Sequence, residues 1–390
     1  MTIQELKQKY NGYQIEMRRY FHQHPEASNR EVNTAARIRE ELDKIGVKWR
    51  ACAKTGTLAV IEGKTPGKTI LLRADIDALA VNEATGAEYA SCTPGLMHAC
   101  GHDCHISMLL TAAHMLNDIK DELKGRVVLC FQPAEELGTG ANDMIADGAL
   151  DGVDAAFGMH VWWNVDAGHV GICHGPAFAS GDHFEIEIFG RDGHGAEPQA
   201  ACDATVMAAA VVQNLQTVVS RETTPIDTAV VTVGKMTSGT RWNVISGYAK
   251  LEGTTRTFQP EVQKRFPEQL ERIARSTCQA MRGDAKLKYE SLVPVTVNDK
   301  AFCDLVAEAA KKAMQPDAPV EVPPTMGGED FSNFINRVPG AIVFLGIRNE
   351  ACGAIYPQHH SKYQVDESAL VGGAALYTQV ACDYLGVEIK

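Results

Sequence analysis

The chain has 390 residues, 45% hydrophobic and 22% charged, with a formal net charge of −12. That is ordinary globular composition with ample material for a core, and the length favours two or more domains. The acidic balance argues against nucleic acid or an anionic membrane as a partner, because no general basic field is available to hold either.

The N-terminal stretch from Met1 to Tyr10 is polar and charged, without an apolar signal core, and no later apolar run reaches membrane-spanning length, so a cytoplasmic protein is expected. Residues 2–20 and 30–46 have amphipathic helical patterning, joined by Phe21-His22-Gln23-His24-Pro25-Glu26, with Gly46 as a stop signal. Leu58 to Ile61 and Thr69 to Arg73 are short apolar runs separated by a Pro-Gly turn, which predicts a pair of strands. The second ends in Ala74-Asp75-Ile76-Asp77, where either aspartate could cap a helix or orient a ligand histidine.

Met97-His98-Ala99-Cys100-Gly101-His102-Asp103-Cys104-His105 follows, directly before an apolar run from Ile106 to Leu116 that reads as a buried helix. In extended backbone Cys100 and His102 would point to the same side, so both could face one ion. Thiolate and imidazole suit zinc and its transition-metal neighbours. A buried cysteine with histidines capping a helix is the competing reading of this segment alone. Asp103 and His105 are expected to support ligands from behind or to cap the helix from Ile106.

Arg126 to Phe131 is a continuous apolar run of the kind found in sheets covered on both faces. It ends at Gln132-Pro133-Ala134-Glu135-Glu136. Cys130 inside this run is typical of the 11 cysteines, which are odd in number and often set among apolar residues, as suits reduced thiols rather than a disulfide framework. Ala155 to Trp162 is another strand and carries His160. Strands that alternate with helices and end in polar clusters predict an α/β fold with its site beyond the carboxyl ends of the strands.

The pattern changes near Ser180. Phe184 to Gly190 alternates apolar and polar residues, as a half-exposed antiparallel strand does. Amphipathic helices over Ala204 to Ser220 and Pro260 to Met281, with strands over Thr228 to Val233 and Gly247 to Thr257, predict an inserted α+β domain of four strands and two helices. The expected division is a catalytic domain from 1–179 and 293–390, with a mixed, mostly parallel sheet covered by helices, interrupted by a lid or dimerisation domain over 180–292. Ala341 to Gly346 is the last clear core strand.

Four segments contribute candidate ligands: Cys100 with His102, the pair Glu135-Glu136, His160, and His359 with His360. Together they supply thiolate, imidazole and carboxylate in numbers that suit two metal ions. Adjacent glutamates after a strand diverge, so one can bind metal while its neighbour serves as a base.

These segments, with Arg18 to Glu26, Leu72 to Leu79, Gly193-His194-Gly195-Ala196-Glu197-Pro198 and Gly327-Gly328-Glu329-Asp330-Phe331, carry a resemblance that runs nearly end to end. The chain resembles the dinuclear metal-dependent aminoacylases and carboxypeptidases, in particular the branch of hippurate hydrolases, bacterial N-acyl-amino-acid amidohydrolases and plant auxin-conjugate hydrolases. The resemblance implies Cys100 as a bridging thiolate, His102 and His160 as imidazole ligands, Glu136 as the carboxylate ligand and His359 as the final ligand. It implies Glu135 as general base, His194 as a holder of the oxyanion, and Asn243 as a contact for the substrate carboxylate or amide. Asp75 and Asp103 are expected to stand behind the ligands. Departures are Gln199, where the family often has histidine, and His359-His360-Ser361, where the choice of His359 rests on register.

The implied activity is cleavage of N-acyl amino acids or similar small conjugates with two divalent ions, Mn2+ or Zn2+, with Co2+ or Ni2+ also compatible. A dipeptidase or carboxypeptidase of the same architecture is the first alternative. A metal- or metabolite-binding protein without catalysis is the second, disfavoured by the spare glutamate. A homodimer is expected, with the alternating strand of the inserted domain pairing across a two-fold axis.

Overall fold

The computed structural model describes residues 1–389, and the chain clusters into two compact units. One consists of Met1–Gly175, Val297–Pro323 and the chain from Asp330 onward, the other of Pro176–Thr296 with Pro324–Glu329. The joints therefore differ slightly from those expected at 179/180 and 292/293. The short segment Pro324–Glu329 goes with the second unit because the Ala179 N–H donates to the carbonyls of Thr325 and Gly327, at 3.1 and 3.0 Å.

The first unit is built on an eight-stranded mixed sheet. Its strand order is Lys48–Cys52, Gly56–Glu62, Lys124–Gln132, Thr65–Asp75, Ala155–Asp166, Gly340–Arg348, Val170–Ile172 and Pro319–Glu321. The central pairings are parallel: Thr65–Asp75 runs parallel to both its neighbours, and Gly340–Arg348 runs parallel to Ala155–Asp166. One local expectation fails. Gly56–Glu62 and Thr65–Asp75 do not pair with each other, because Lys124–Gln132 lies between them, antiparallel to the first and parallel to the second. Val127, Leu129, Cys130 and Phe131 have no exposed surface, and a run buried on both faces takes an interior place in a sheet. The Pro66-Gly67 pair sits inside the strand Thr65–Asp75 rather than in a turn.

Helices cover this sheet. Ile3–Gln23 starts at a capping box in which Thr2 and Glu5 exchange side-chain and backbone hydrogen bonds, which satisfies two otherwise unpaired amides. His102–Asp118 and Leu370–Leu385 are buried along almost their whole length, as helices apolar on every side must be. Met108, Leu109, Leu116, Leu376, Val380 and Phe157 join one continuous core. The carboxyl ends of Thr65–Asp75 and Lys124–Gln132 carry Asp75 and the Glu135-Glu136 turn, and His160 lies midway along Ala155–Asp166.

The second unit has an antiparallel sheet in the order Ala229–Ser238, Tyr248–Thr257, Gly181–Phe189, Asp284–Val293. Phe184, Ile186 and Ile188 share a core with residues of the helices Ala204–Thr217 and Pro260–Ala280, including Val211, Phe266 and Leu270. The period-two alternation thus reports one buried face, as expected. The strand that carries it is nevertheless internal, bonded on both sides, so it has no free edge for pairing across a two-fold axis. The edges are Ala229–Ser238 and Asp284–Val293. Among the described residues no helix is long and apolar enough to cross a membrane.

Candidate metal centre

Cys100 and His102 converge by a different route from strand alternation. Gly101 has φ 93° and immediately precedes the helix His102–Asp118, so the chain makes a left-handed turn between the two side chains. A Cβ at Gly101 would lie 2.4 Å from Val161 Cγ2 and 2.8 Å from the Tyr363 hydroxyl, and the left-handed backbone disfavours any other residue. The helix begins at His102 rather than Ile106, which puts Asp103 and His105 in its first turn instead of before it.

The His102 ring is buried and aimed. Its Nδ1 donates to the Asp77 carbonyl at 2.8 Å, which leaves Nε2 buried without a hydrogen-bond partner. That nitrogen lies 3.5 Å from Asp75 Oδ2 and 3.9 Å from Glu136 Oε1. His160 donates from Nδ1 to the Val161 carbonyl at 2.8 Å, and its Nε2 stands 3.4 Å from Cys100 Sγ. Glu135 and Glu136 occupy a short turn after Lys124–Gln132, and both backbone N–H groups donate to the Asp77 carboxylate, at 3.2 and 3.1 Å. Ala134 before them is left-handed at φ 53°, a conformation that costs a non-glycine residue roughly 1–2 kcal/mol. Glu136 Oε1 is buried without a hydrogen-bond partner and lies 3.6 Å from His359 Nε2. His360 instead stacks on Tyr356 and accepts the Lys362 N–H.

Ligand-capable atoms of Cys100, His102 and His160 lie within 4.8 Å of one another, and so do those of Cys100, Glu136 and His359. The two groups share the Cys100 thiol, which is the arrangement two adjacent ions with one bridging ligand require. The buried, unpartnered His102 Nε2 and Glu136 Oε1 fit the same requirement, and the sulfur, nitrogen and oxygen donor set suits divalent transition ions. Electrostatics agree. Burial, with the Glu136 carboxylate beside it, pushes the Cys100 thiol well up. Burial opposes charge on His102, yet the Asp75 carboxylate and the Cys100 sulfur hold the imidazole well above its ordinary value. Burial also raises Glu136. Each of these shifts favours the protonated form, and metal binding displaces protons from such ligands.

Behind the ligands lies a buried polar shell. Burial disfavours a charge on Asp75, but Arg73 at 2.8 Å holds it well below the carboxylate range. Asp75 also accepts from His105 Nδ1, whose other nitrogen accepts the Val161 N–H at 2.9 Å. Asp103 points elsewhere: its carboxylate meets Arg18 at 3.1 Å and His22 at 2.7 Å, tying the first turn of His102–Asp118 to the helix Ile3–Gln23. His22 lies in that helix and not in a loop, and its other nitrogen is 3.2 Å from Glu83. Arg73 reaches Asp330 at 3.0 Å and Gln132 at 2.9 Å. Arg18, Glu83, Gln132 and Asp330 were not singled out from sequence. Arg18, Gln132 and Asp330 lie in segments that carry the family resemblance, but only their distant partners reveal what they do.

In the second unit the structure brings His194 and Asn243 together. Gly193–His194 pairs with Val244–Ile245, with His194 opposite Val244, and the Gly195 N–H donates to the Asn243 carbonyl at 3.0 Å. His194 Nδ1 accepts the Ala196 N–H at 3.1 Å, so in the neutral ring Nε2 carries the proton. Asn243 Oδ1 is buried without a partner. Gln199 sits on a short exposed turn, Pro198–Ala200.

Residues 71–383 match the family described as Peptidase family M20/M25/M40. The N-acetyl-L-cysteine deacetylase of Bacillus subtilis (strain 168) is 40% identical over 358 residues, 92% of this chain and 84% of that protein. Thermostable carboxypeptidase 1 of Saccharolobus solfataricus is 37% identical over 375 residues, 95% of each chain. A crystal structure from Bacillus subtilis, described as a dinuclear metal-binding peptidase of the M20 family, has a TM-score of 0.86 at 35% identity, covering 98% of this chain and 100% of that one.

Proposed function

The chain belongs to peptidase family M20/M25/M40 and is a metal-dependent hydrolase of amide bonds; on that premise we propose that its substrates are N-acyl amino acids or similar small conjugates. The observation that carries this reading is the sharing of Cys100 by two ligand groups that do not include Glu135, although Glu135 also stands with His102 and Glu136, and with Glu329 and Asp330, in groups that could hold an ion. Cys100, His102 and His160 would hold one divalent ion, and Cys100, Glu136 and His359 the other. Bound ions of this kind lower the pKa of water from ~15.7 to ~7 and polarise a carbonyl.

The chain's own groups do the rest. Glu135 takes a proton from the attacking water and returns it to the departing amine nitrogen, as a general base that then acts as an acid. His194 donates from Nε2 to the carbonyl oxygen as negative charge develops there, a role worth about 3–4 kcal/mol of barrier for single donors elsewhere. Asn243 recognises the substrate carboxylate or amide through its side chain. His194 acts in its own chain or in a second copy. A homodimer using the edge strand Ala229–Ser238, where Met236 is 50% exposed, would allow the latter.

The carboxypeptidase reading has the Saccharolobus solfataricus relative in its favour. One experiment separates the two. The chelated enzyme is reloaded with Mn2+ or Zn2+, its mass in solution is measured by light scattering, and it is given N-acetyl, N-benzoyl and indoleacetyl amino acids beside dipeptides. Metal-restored cleavage confined to the acyl amino acids is expected. Preference for dipeptides would move the assignment to a peptidase, and silence with two ions bound would favour a binding protein.

A further inference from the structure

Three successive amides lead into the catalytic turn, and each donates to a carboxylate from elsewhere in the chain. Glu135 and Glu136 use Asp77. The Ala134 N–H donates to Glu31 Oε1 at 3.0 Å, across a separation of 103 residues. Glu31 has no exposed surface. It precedes the helix Val32–Lys44 but makes no capping bond to it, so its side chain is committed elsewhere. Oε1 also accepts the Asn29 N–H at 2.9 Å, and Oε2 accepts the Thr55 hydroxyl at 2.7 Å.

Ala134 is the residue of the turn that most needs holding. With φ 53° and ψ 40° it is left-handed without being glycine, and such residues persist where the surroundings over-determine them. Its carbonyl accepts the Gly140 N–H at 3.2 Å, so both sides of the strained unit are tied. A carboxylate acceptor makes the stronger kind of hydrogen bond. We infer that Glu31 is a positioning residue for the amide hydrolysis: through the Ala134 amide it fixes the backbone from which Glu135 and Glu136 diverge, one toward the attacking water and the other toward the metal. The inference rests on Glu135 being the base.

The test measures kcat, KM and bound metal in the metal-loaded protein carrying E31A, E31Q, E31D or T55V. Small misplacements of a catalytic group can cost up to about 100-fold in rate. E31A is therefore expected to lose about tenfold or more in kcat at saturating metal, with KM within about twofold. E31Q keeps an oxygen for the Ala134 amide and should recover most of the rate. T55V breaks only the fastening of Glu31 to the turn before Gly56–Glu62 and should leave kcat near wild type.

Unchanged kcat in E31A overturns the inference, as does a T55V loss equal to that of E31A. If E31A does not fold, E31D decides, because its shortened carboxylate cannot serve all three donors and an unchanged kcat would overturn the proposal. E135Q run alongside keeps the two readings apart. If E135Q is inactive while E31A is normal, only the Glu31 inference fails. If E135Q is active, the base assignment itself fails.

Discussion

The two units hold their functional side chains in opposite ways. In the first, His102, Asp75, Asp103 and His105 have no exposed surface, and each is fixed by another buried polar group. In the second, His194 is exposed and lies in a two-residue strand, Trp242 is 91% exposed, and Asn243 directly precedes the two-residue strand that pairs with His194. The difference follows from what each set meets. Metal ligands must be aimed before an ion arrives, because a half-ordered shell of buried charges costs more than it returns. The groups proposed to meet a substrate, which comes and goes, are held mainly by backbone pairing between His194 and Val244 and between Gly195 and Asn243.

The comparison can be broken by experiment. Glu135→Gln should show the largest effect: turnover falls on the order of 10²–10⁴-fold while two ions remain bound, since only the base is lost. Near-normal turnover, or loss of metal with the rate, would show that Glu135 is not a spare base. His194→Ala should come next, lowering kcat about 10²–10³-fold with little change in KM and none in metal content. Metal loss in that variant would mean that His194 belongs to the ligand shell after all. Asp75→Asn should show the smallest effect on rate at saturating metal, but should weaken metal affinity about 10–100-fold, read by titration with a competing chelator. Unchanged affinity would remove Asp75 from the group that orients the site.

The Pro66-Gly67 pair shows why part of the fold escaped a local reading. A Pro-Gly dipeptide between two apolar runs is a turn signal, yet here it lies at the start of a strand, and a later strand separates the two runs. Gly125 is one reason the chain can pass there, since a Cβ on it would sit 2.0 Å from the Lys68 carbonyl. Glu31 shows the same limit for the site. In the sequence it is one glutamate before a helix, and its role comes from an amide 103 residues away. His359 is the intermediate case, because residue type pointed to it and to His360 equally, and only the backbone turn at φ 66° separates them.

What the sequence determined by itself is what repeats locally or what chemistry demands by residue type. Periodicity separated the buried strands of the first unit from the alternating strand of the second, the inventory of thiol, imidazole and carboxylate suited two metal ions, and the family resemblance implied amide hydrolysis. Only the tertiary structure decided which strand stands beside which, that Gly101 rather than strand alternation joins Cys100 to His102, and that Asp103 serves Arg18 and His22. Periodicity records whether a side chain meets protein or water. Which side chain it meets is settled by the competition among all buried surfaces and buried polar groups at once, and that competition exists only in the folded chain.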